Sequence, residues 1–548
     1  MVYDPAKLGT ELNLSLSIPQ EERNNSLDLD VGYNSSVDEW QLIIRYTGDL
    51  EEVSKSVGFS YTILQNNYAI IRIKSENIEL LTRIPSILFI EKPKSIYLEV
   101  AATSILKMDG LSGKGVVTAV IDSGIDYKSG AFINNDGTTK LVGIWDQTLP
   151  YDEEHPNQYG VGRFFTREEI NTALKTGDGL PTYDYSGHGT GVASIISRDV
   201  PDSDILAIKL DNSNISGFPN TISLILALDY AVSFSQKYDL PMVINLSFGN
   251  NYGDHGSNSM LEEYIDSVAD TARISIVTGM GNEGRSARHA QIMLGNTAWQ
   301  YVDFQVNPYE IGINLQIWRD FVDVVDIFLT TPSGVVLGPF NLYSEVMSYS
   351  LPDMDISVIN GYPTPYNKNQ ETYISISPKN EYIEQGIWTV SFNPKSILNG
   401  RVDLWLPVSE GTSSDVRFIT PSRYTTMTIP ASARSVISVG AYDERLLSYA
   451  SFSGRGYAID NQVKPDVSAP GVNIQVASPG GGYVTVSGTS FATPYVSARA
   501  AKLMEWGIVK GNDPFMYGEK LKANLIREAG PLPGYKTYPN PEIGWGAL

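Results

Sequence analysis

The chain has 548 residues, with 62 Asp and Glu against 40 Lys and Arg, a formal charge of −22, and no cysteine. That charge argues against nucleic acid or anionic lipid as partners, and the missing cysteines exclude any disulfide. The length exceeds what one compact domain usually holds, and a hydrophobic content of 42% suffices for large cores.

Residues 1–7 contain no basic stretch leading into an apolar core, so no secretory signal is visible. No run of about 18 apolar residues predicts a membrane span. Residues 1–35 are polar and read as a draped arm. A compact pattern follows: strand 41–46, helix 50–57, strand 59–64, strand 68–73, helix 76–81 and strand 87–91. The order β-α-β-β-α-β predicts a small α+β domain.

Residues 116–121, Val-Val-Thr-Ala-Val-Ile, are apolar and β-branched throughout, the pattern of a buried parallel strand. The strand ends at Asp122-Ser123-Gly124, which puts a carboxylate at its C-terminal end. Alone, such an Asp is usually a cap or turn residue. Ser186-Gly187-His188-Gly189-Thr190 then sets a histidine between glycines at the head of a predicted helix, in a chain with only four histidines. Strands 204–210 and 243–249 alternate with helices 221–237 and 260–272, which predicts a mostly parallel sheet covered on both faces. Strand 274–279 runs into Met280-Gly281-Asn282-Glu283-Gly284, which alone would be a turn.

Residues 290–427 change character. Residues 313–318 alternate at period two, residues 324–330, 372–377 and 386–392 are strand-like, and Pro332-Ser333-Gly334 and Asn399-Gly400 mark turns. We read an inserted all-β sandwich or jelly roll. Trp299, Trp318 and Trp388 are read as falling on its strand-like runs, and so as core residues rather than a sugar-binding platform. The α/β pattern resumes with Thr428-Ile429-Pro430-Ala431-Ser432-Ala433. Last comes Ser487-Gly488-Thr489-Ser490-Phe491-Ala492-Thr493-Pro494, a small-residue helical run with a proline read as lying in its first turn. Ser490 then lies at a helix N-terminus, where developing negative charge is favoured. Alone, the octet could be an ordinary helix start.

Asp122, His188 and Ser490 occur in one of the known chain orders of the serine-hydrolase triad, and it is the subtilisin order. Together with Gly281-Asn282, these blocks resemble those of the subtilisin-type (S8) serine peptidases. The resemblance implies an α/β fold: a parallel-sheet catalytic domain, an N-terminal ferredoxin-like propeptide that chaperones and inhibits, and an inserted jelly roll. It divides the chain into 1–100, 101–289, 290–427 and 428–548. It implies Asp122, His188 and Ser490 as catalytic residues and Asn282 as an oxyanion donor. Ser247, Phe248 and Gly249 on one side and Gly279, Met280 and Gly281 on the other become the walls of the P1 pocket. It implies a protein substrate, the chain's own propeptide as a partner, and no cofactor or metal. Release and non-covalent retention of the propeptide both stay open.

Gly191 and Tyr495 stand where the family usually has His, and Phe491 where it usually has Met. The combination of propeptide, triad, insert and absent cysteine resembles the Csp subtilases of spore-forming clostridia, which process a cortex-lytic enzyme precursor during germination. That resemblance implies a bacterial protein of the spore or mother cell. It also implies a zymogen that cuts itself between residues 92 and 102. The competing reading is a propeptide-locked, weakly active germination-signalling scaffold.

Overall fold

The computed structural model describes residues 7–8, 12, 16, 33–63, 68–91, 110–153, 159–211, 219, 221–269, 273–340, 347–361, 363, 367–412 and 414–548. The expected self-cleavage segment, 92–102, and most of the expected N-terminal arm lie outside these residues. The chain divides into two units, Met1–Thr103 and Ser104–Leu548.

In the first unit, the described residues form a five-stranded antiparallel sheet in which Phe59–Ile63, Tyr68–Lys74 and Glu39–Tyr46 lie in that order, and both Ile87–Glu91 and the short strand Tyr33–Asn34 pair with the far edge of Glu39–Tyr46. The first and last long strands, Glu39–Tyr46 and Ile87–Glu91, are thus neighbours, as in a β-α-β-β-α-β fold whose helices cross over one face. Trp40, Leu42 and Ile44 alternate inward and are fully buried beside Ile71, Ile73 and Leu81. Helix Leu50–Val57 starts where the Asp49 side chain accepts from the Glu51 N–H and stops at Gly58, whose φ of 83° only glycine adopts freely.

In the second unit, the central sheet places Val117–Asp122 between Met242–Leu246 and Asp204–Lys209. Ile274–Gly279, Ile437–Asp443 and Val467–Pro470 continue it on one side and Leu141–Asp146 on the other, all parallel. Antiparallel strands Arg163–Thr166 and Ser448–Tyr449 end it. Val117–Asp122, Met242–Leu246 and Ile274–Gly279 are buried at every residue, as their unbroken apolar runs predict for a sheet covered on both faces. Successive parallel strands leave their C-terminal ends side by side, and the residues following them form one crevice.

Residues 289–418 build two further antiparallel sheets. One runs His289–Met293, Arg401–Trp405, Ile313–Asp320, Asn369–Pro378, Met354–Asn360, Met347–Ser350. The other runs Val336–Leu337, Val324–Thr330, Gly386–Ser396, Gln300–Val306, Val416–Phe418. They enclose their own apolar cluster around Phe304, Ile317, Ile327, Trp388 and Phe392. Of the three tryptophans read as core, Trp388 is fully buried and Trp318 half-buried. Trp299 is not a core residue: it is 44% exposed and stacks on Phe328. It precedes its strand, where alternation no longer dictates facing.

This layer is braced on the crevice. Asn251 Nδ2 donates to the Leu406 carbonyl (3.1 Å), the Gly253 N–H to Gln316 Oε1 (3.0 Å), and Asn369 Nδ2 to Asp254 Oδ2 (2.8 Å). The rings of His255 and His289 both stack on Trp405, at 4.4 and 4.6 Å between centroids. Burial, and then the neighbouring His289, push the His255 imidazole down to about 3. It therefore stays neutral in the folded chain, while the unfolded chain takes up a proton below about 6.5. Stability should fall as pH drops through that window, by about 2 kcal/mol at pH 5 relative to pH 7 from this group alone. Denaturant titrations at both pH values check this. His255→Phe should flatten the slope between them, and an unchanged slope would show that His255 does not set it.

Candidate active site

Asp122 ends the central strand and is buried. Its Oδ1 lies 2.7 Å from His188 Nδ1 and accepts the Ser123 N–H, also at 2.7 Å. An ionised carboxylate only accepts, so Nδ1 carries the proton and Nε2 is left basic. The approach is close because Gly189 has no side chain: a Cβ there would lie 2.2 Å from the Gly124 carbonyl oxygen and 3.0 Å from Asp122 Cβ. His188 opens helix His188–Asp199 and keeps 30% of its side-chain surface exposed. Burial lowers its pKa, but the Asp122 charge, their hydrogen bond and the Asp184 charge outweigh this and leave it above 6.5.

Asp184 was not singled out in the sequence. It is buried, and its two oxygens accept five hydrogen bonds: from Ser123 Oγ (2.9 Å), Ser186 Oγ (3.2 Å), the Gly187 N–H (3.0 Å), the Thr190 N–H (2.8 Å) and Thr190 Oγ1 (2.7 Å). It thereby ties the start of the His188 helix to the loop after Asp122. The available signal was an acidic residue just ahead of a helix start.

Ser490 is the second residue of helix Thr489–Met504. The expectation for Pro494 needs correction, because the helix begins at Thr489 and the proline is its sixth residue, in the second turn. Having no N–H, Pro494 cannot bond the Ser490 carbonyl four residues back. That carbonyl instead accepts Ser247 Oγ at 3.3 Å. Ser490 Oγ donates to the Ser247 carbonyl at 3.3 Å, and among the described residues it makes no hydrogen bond to His188. Catalytic contacts are often long or turned aside in free enzymes.

Asn282 follows strand Ile274–Gly279. Its Oδ1 accepts the Thr489 N–H (3.0 Å) and Thr489 Oγ1 (3.3 Å), which turns its NH₂ away from that contact. Next along the chain, Glu283 is buried and accepts from Ser409 N and Oγ at 3.2 and 3.1 Å. The two-sheet layer thus fixes the loop carrying Asn282.

The expected walls lie at the C-terminal ends of strands Met242–Leu246 and Ile274–Gly279, Gly279 closing its own strand. Phe248 lies with its ring 6.4 Å from that of His188, and Gly249 is exposed. Met280 is fully buried among Met427, Ala431 and Ala458, so its wall is backbone and glycine rather than side chain. Gly191 and Phe491 are neighbours: a Cβ on Gly191 would lie 3.0 Å from Val476 Cγ2 and 3.3 Å from the Phe491 ring.

Strand order, the crevice and the residues converging on it have the arrangement of the subtilisin-type serine endopeptidases. The chain belongs to the subtilase family, whose model matches residues 113–307 and 409–546. Residues 6–94 match the Csp protease B prodomain. The structure of the Clostridium perfringens CspB protease is similar, with 33% identity, 80% of this chain and 92% of that chain covered, and a TM-score of 0.74. The PII-type proteinase of Lactococcus lactis subsp. cremoris is 22% identical over 478 residues, 76% of this chain and 24% of that protein. The subtilisin-like protease 5 of Trichophyton tonsurans is 41% identical over 102 residues, 19% of this chain and 24% of that protein. The chain thus spans about a quarter of the length of these curated relatives. Among the described residues, no helix is long and apolar enough to cross a membrane.

Proposed function

We propose that the chain is a serine endopeptidase made as a zymogen, with Asp122, His188 and Ser490 as its triad. The observation that carries this is the hydrogen bond from His188 Nδ1 to buried Asp122, beside a serine at a helix N-terminus. When substrate enters, the Ser490 hydroxyl leaves the Ser247 carbonyl and gives its proton to His188 Nε2 as Oγ attacks the scissile carbonyl. Asp122 holds the imidazole's tautomer and stabilises the imidazolium, which then protonates the leaving amine. The Asn282 amide and the Ser490 N–H receive the oxyanion. The direct test is a fluorophosphonate probe on the processed protein. Labelling at Ser490 in the native chain, absent from Ser490→Ala, is expected; a folded, processed chain that stays unlabelled would overturn the reading.

The prodomain match and the likeness to the CspB protease support a finer reading: cleavage of a cortex-lytic enzyme precursor in the spore or mother cell during germination. The proposed domains are 1–100, 101–289, 290–427 and 428–548. The two antiparallel sheets support a jelly roll for the third, because the successive strands His289–Met293, Gln300–Val306, Ile313–Asp320 and Val324–Thr330 alternate between them.

Asn282→Leu removes a donor aimed at charge that exists only in the transition state. Its kcat should fall roughly 10²–10³-fold, about 2.7–4 kcal/mol, with little change in KM. Steady-state kinetics on the folded variant check this, and near-normal kcat would take Asn282 out of the catalytic set.

A further inference from the structure

Three connections meet at one end of the two-sheet layer. Residues 331–335 join strands Val324–Thr330 and Val336–Leu337 of one sheet. Residues 351–353 join Met347–Ser350 and Met354–Asn360 of the other, and residues 379–385 cross between the sheets, from Asn369–Pro378 to Gly386–Ser396. The turns enclose a cavity of about 970 Å³. Backbone hydrogen bonds fix all three of them. The Thr331 N–H donates to the Val335 carbonyl, the Leu351 N–H to that of Met354, the Lys379 N–H to that of Asp353 and the Ile383 N–H to that of Glu310, each at 2.9 Å. The floor of this groove is apolar: Met354 and Ile383 are buried, and Leu351 packs on the layer's own core. The Tyr382 ring at its side is 42% exposed and meets the Tyr309 ring edge-on, 5.4 Å between centroids. The lining also carries three carboxylates, Asp353, Glu381 and Glu384, and no Lys, Arg or His. Among the described residues, Glu384 accepts a hydrogen bond from Ser333 Oγ (3.1 Å), while the Asp353 and Glu381 side chains make neither hydrogen bond nor ion pair. Lys379 stands next to the groove, but its ammonium is held by Ser350 Oγ (2.7 Å), the Leu351 carbonyl (2.6 Å) and Asp355 Oδ1 (3.5 Å).

We propose that this groove docks a basic, partly apolar segment of another protein chain. Apolar surface ringed by polar groups is where partners bind. Charge complementarity selects the partner: carboxylates with no cation of their own repel acidic chains and attract lysine or arginine. Apolar side chains of the segment leave water for the floor, and its cations meet the carboxylates and the face of Tyr382. The inference goes beyond the peptidase reading and uses no residue of the crevice, so it stands or falls separately.

The test uses the full Ser490→Ala chain, in which Ser490 cannot cut a bound peptide. The probes are two fluorescein-labelled peptides of equal length, one alternating lysine with leucine and the other glutamate with leucine. Fluorescence anisotropy at low salt should show the lysine peptide binding at least about tenfold more tightly than the glutamate peptide, and less tightly as salt rises. Asp353→Asn, Glu381→Gln and Glu384→Gln together should weaken that binding about tenfold or more. Asp353→Asn with Glu381→Gln, which keeps the bond between Glu384 and Ser333, should weaken it at least about threefold and serves if the triple variant fails to fold. As a control, Glu168→Gln, Asp178→Asn and Glu444→Gln remove three exposed carboxylates elsewhere and should leave the affinity within about twofold. Three results overturn the proposal: no preference for the lysine peptide, unchanged affinity in the groove variants, or an equal loss in the control. The last would mean that the acidic surface as a whole attracts the cations.

Discussion

Ser490→Ala should abolish peptide hydrolysis, with kcat down by roughly 10⁶, and should leave the chain uncut. The two effects share one cause, since the same hydroxyl is needed to attack a substrate carbonyl and the chain's own. The variant should still fold. Among the described residues Ser490 Oγ makes one hydrogen bond, to the Ser247 carbonyl at 3.3 Å, and that carbonyl borders an open crevice where water can replace the hydroxyl. The helix start does not depend on it either, because the Thr489 N–H is held by Asn282 Oδ1. Intact-mass measurement after expression in a protease-free host is the check. The native chain should lose roughly its first hundred residues, with the new N-terminus between residues 92 and 102, and Ser490→Ala should keep its full mass. Normal processing of Ser490→Ala would show that another protease makes the cut and would remove self-activation from the proposed function.

Where local backbone demands single out a residue type, the site was legible in the sequence. An unbroken apolar run must be a buried strand, so Asp122 had to stand at its end. His188 sits between glycines because Gly189 must pass close to Gly124 and Asp122. What was not legible depends on contacts between distant segments. Asp184 looks like any acidic residue before a helix, and only its five hydrogen bonds mark it as the tie between two loops. The family resemblance makes Met280 a wall residue, but its side chain turns inward because Met427 and Ala431 offer it a dry pocket. Pro494 was placed one turn too early because proline favours a helix's first turn; here Ser247 Oγ meets the carbonyl that the missing N–H leaves free. Trp299 precedes its strand, so period-two alternation had no hold on it.

Asp122→Asn should lower kcat about 10⁴-fold while leaving KM nearly unchanged. An asparagine can turn its NH₂ toward His188 Nδ1, which then must accept, and the ring proton moves to Nε2, the nitrogen needed as base. The pH profile carries a second signature. In the native site burial lowers the His188 pKa, and the charge and hydrogen bond of Asp122, with the charge of Asp184, raise it by more. The base is competent only when neutral, so activity should climb as pH rises through a value above 6.5. Removing the Asp122 charge takes away the larger raising influence, and the acidic limb of kcat/KM in Asp122→Asn should move to lower pH. Stability should follow the matching sign. A histidine with a raised pKa stabilises the fold below its unfolded value and loses that contribution as pH rises through the folded one, so the variant should lose stability mainly on the acid side. Rate profiles from pH 5 to 9 on folded protein read the first two effects. A variant with near-native kcat and an unmoved limb would show that the loop tied by Asp184 orients His188 without help from Asp122.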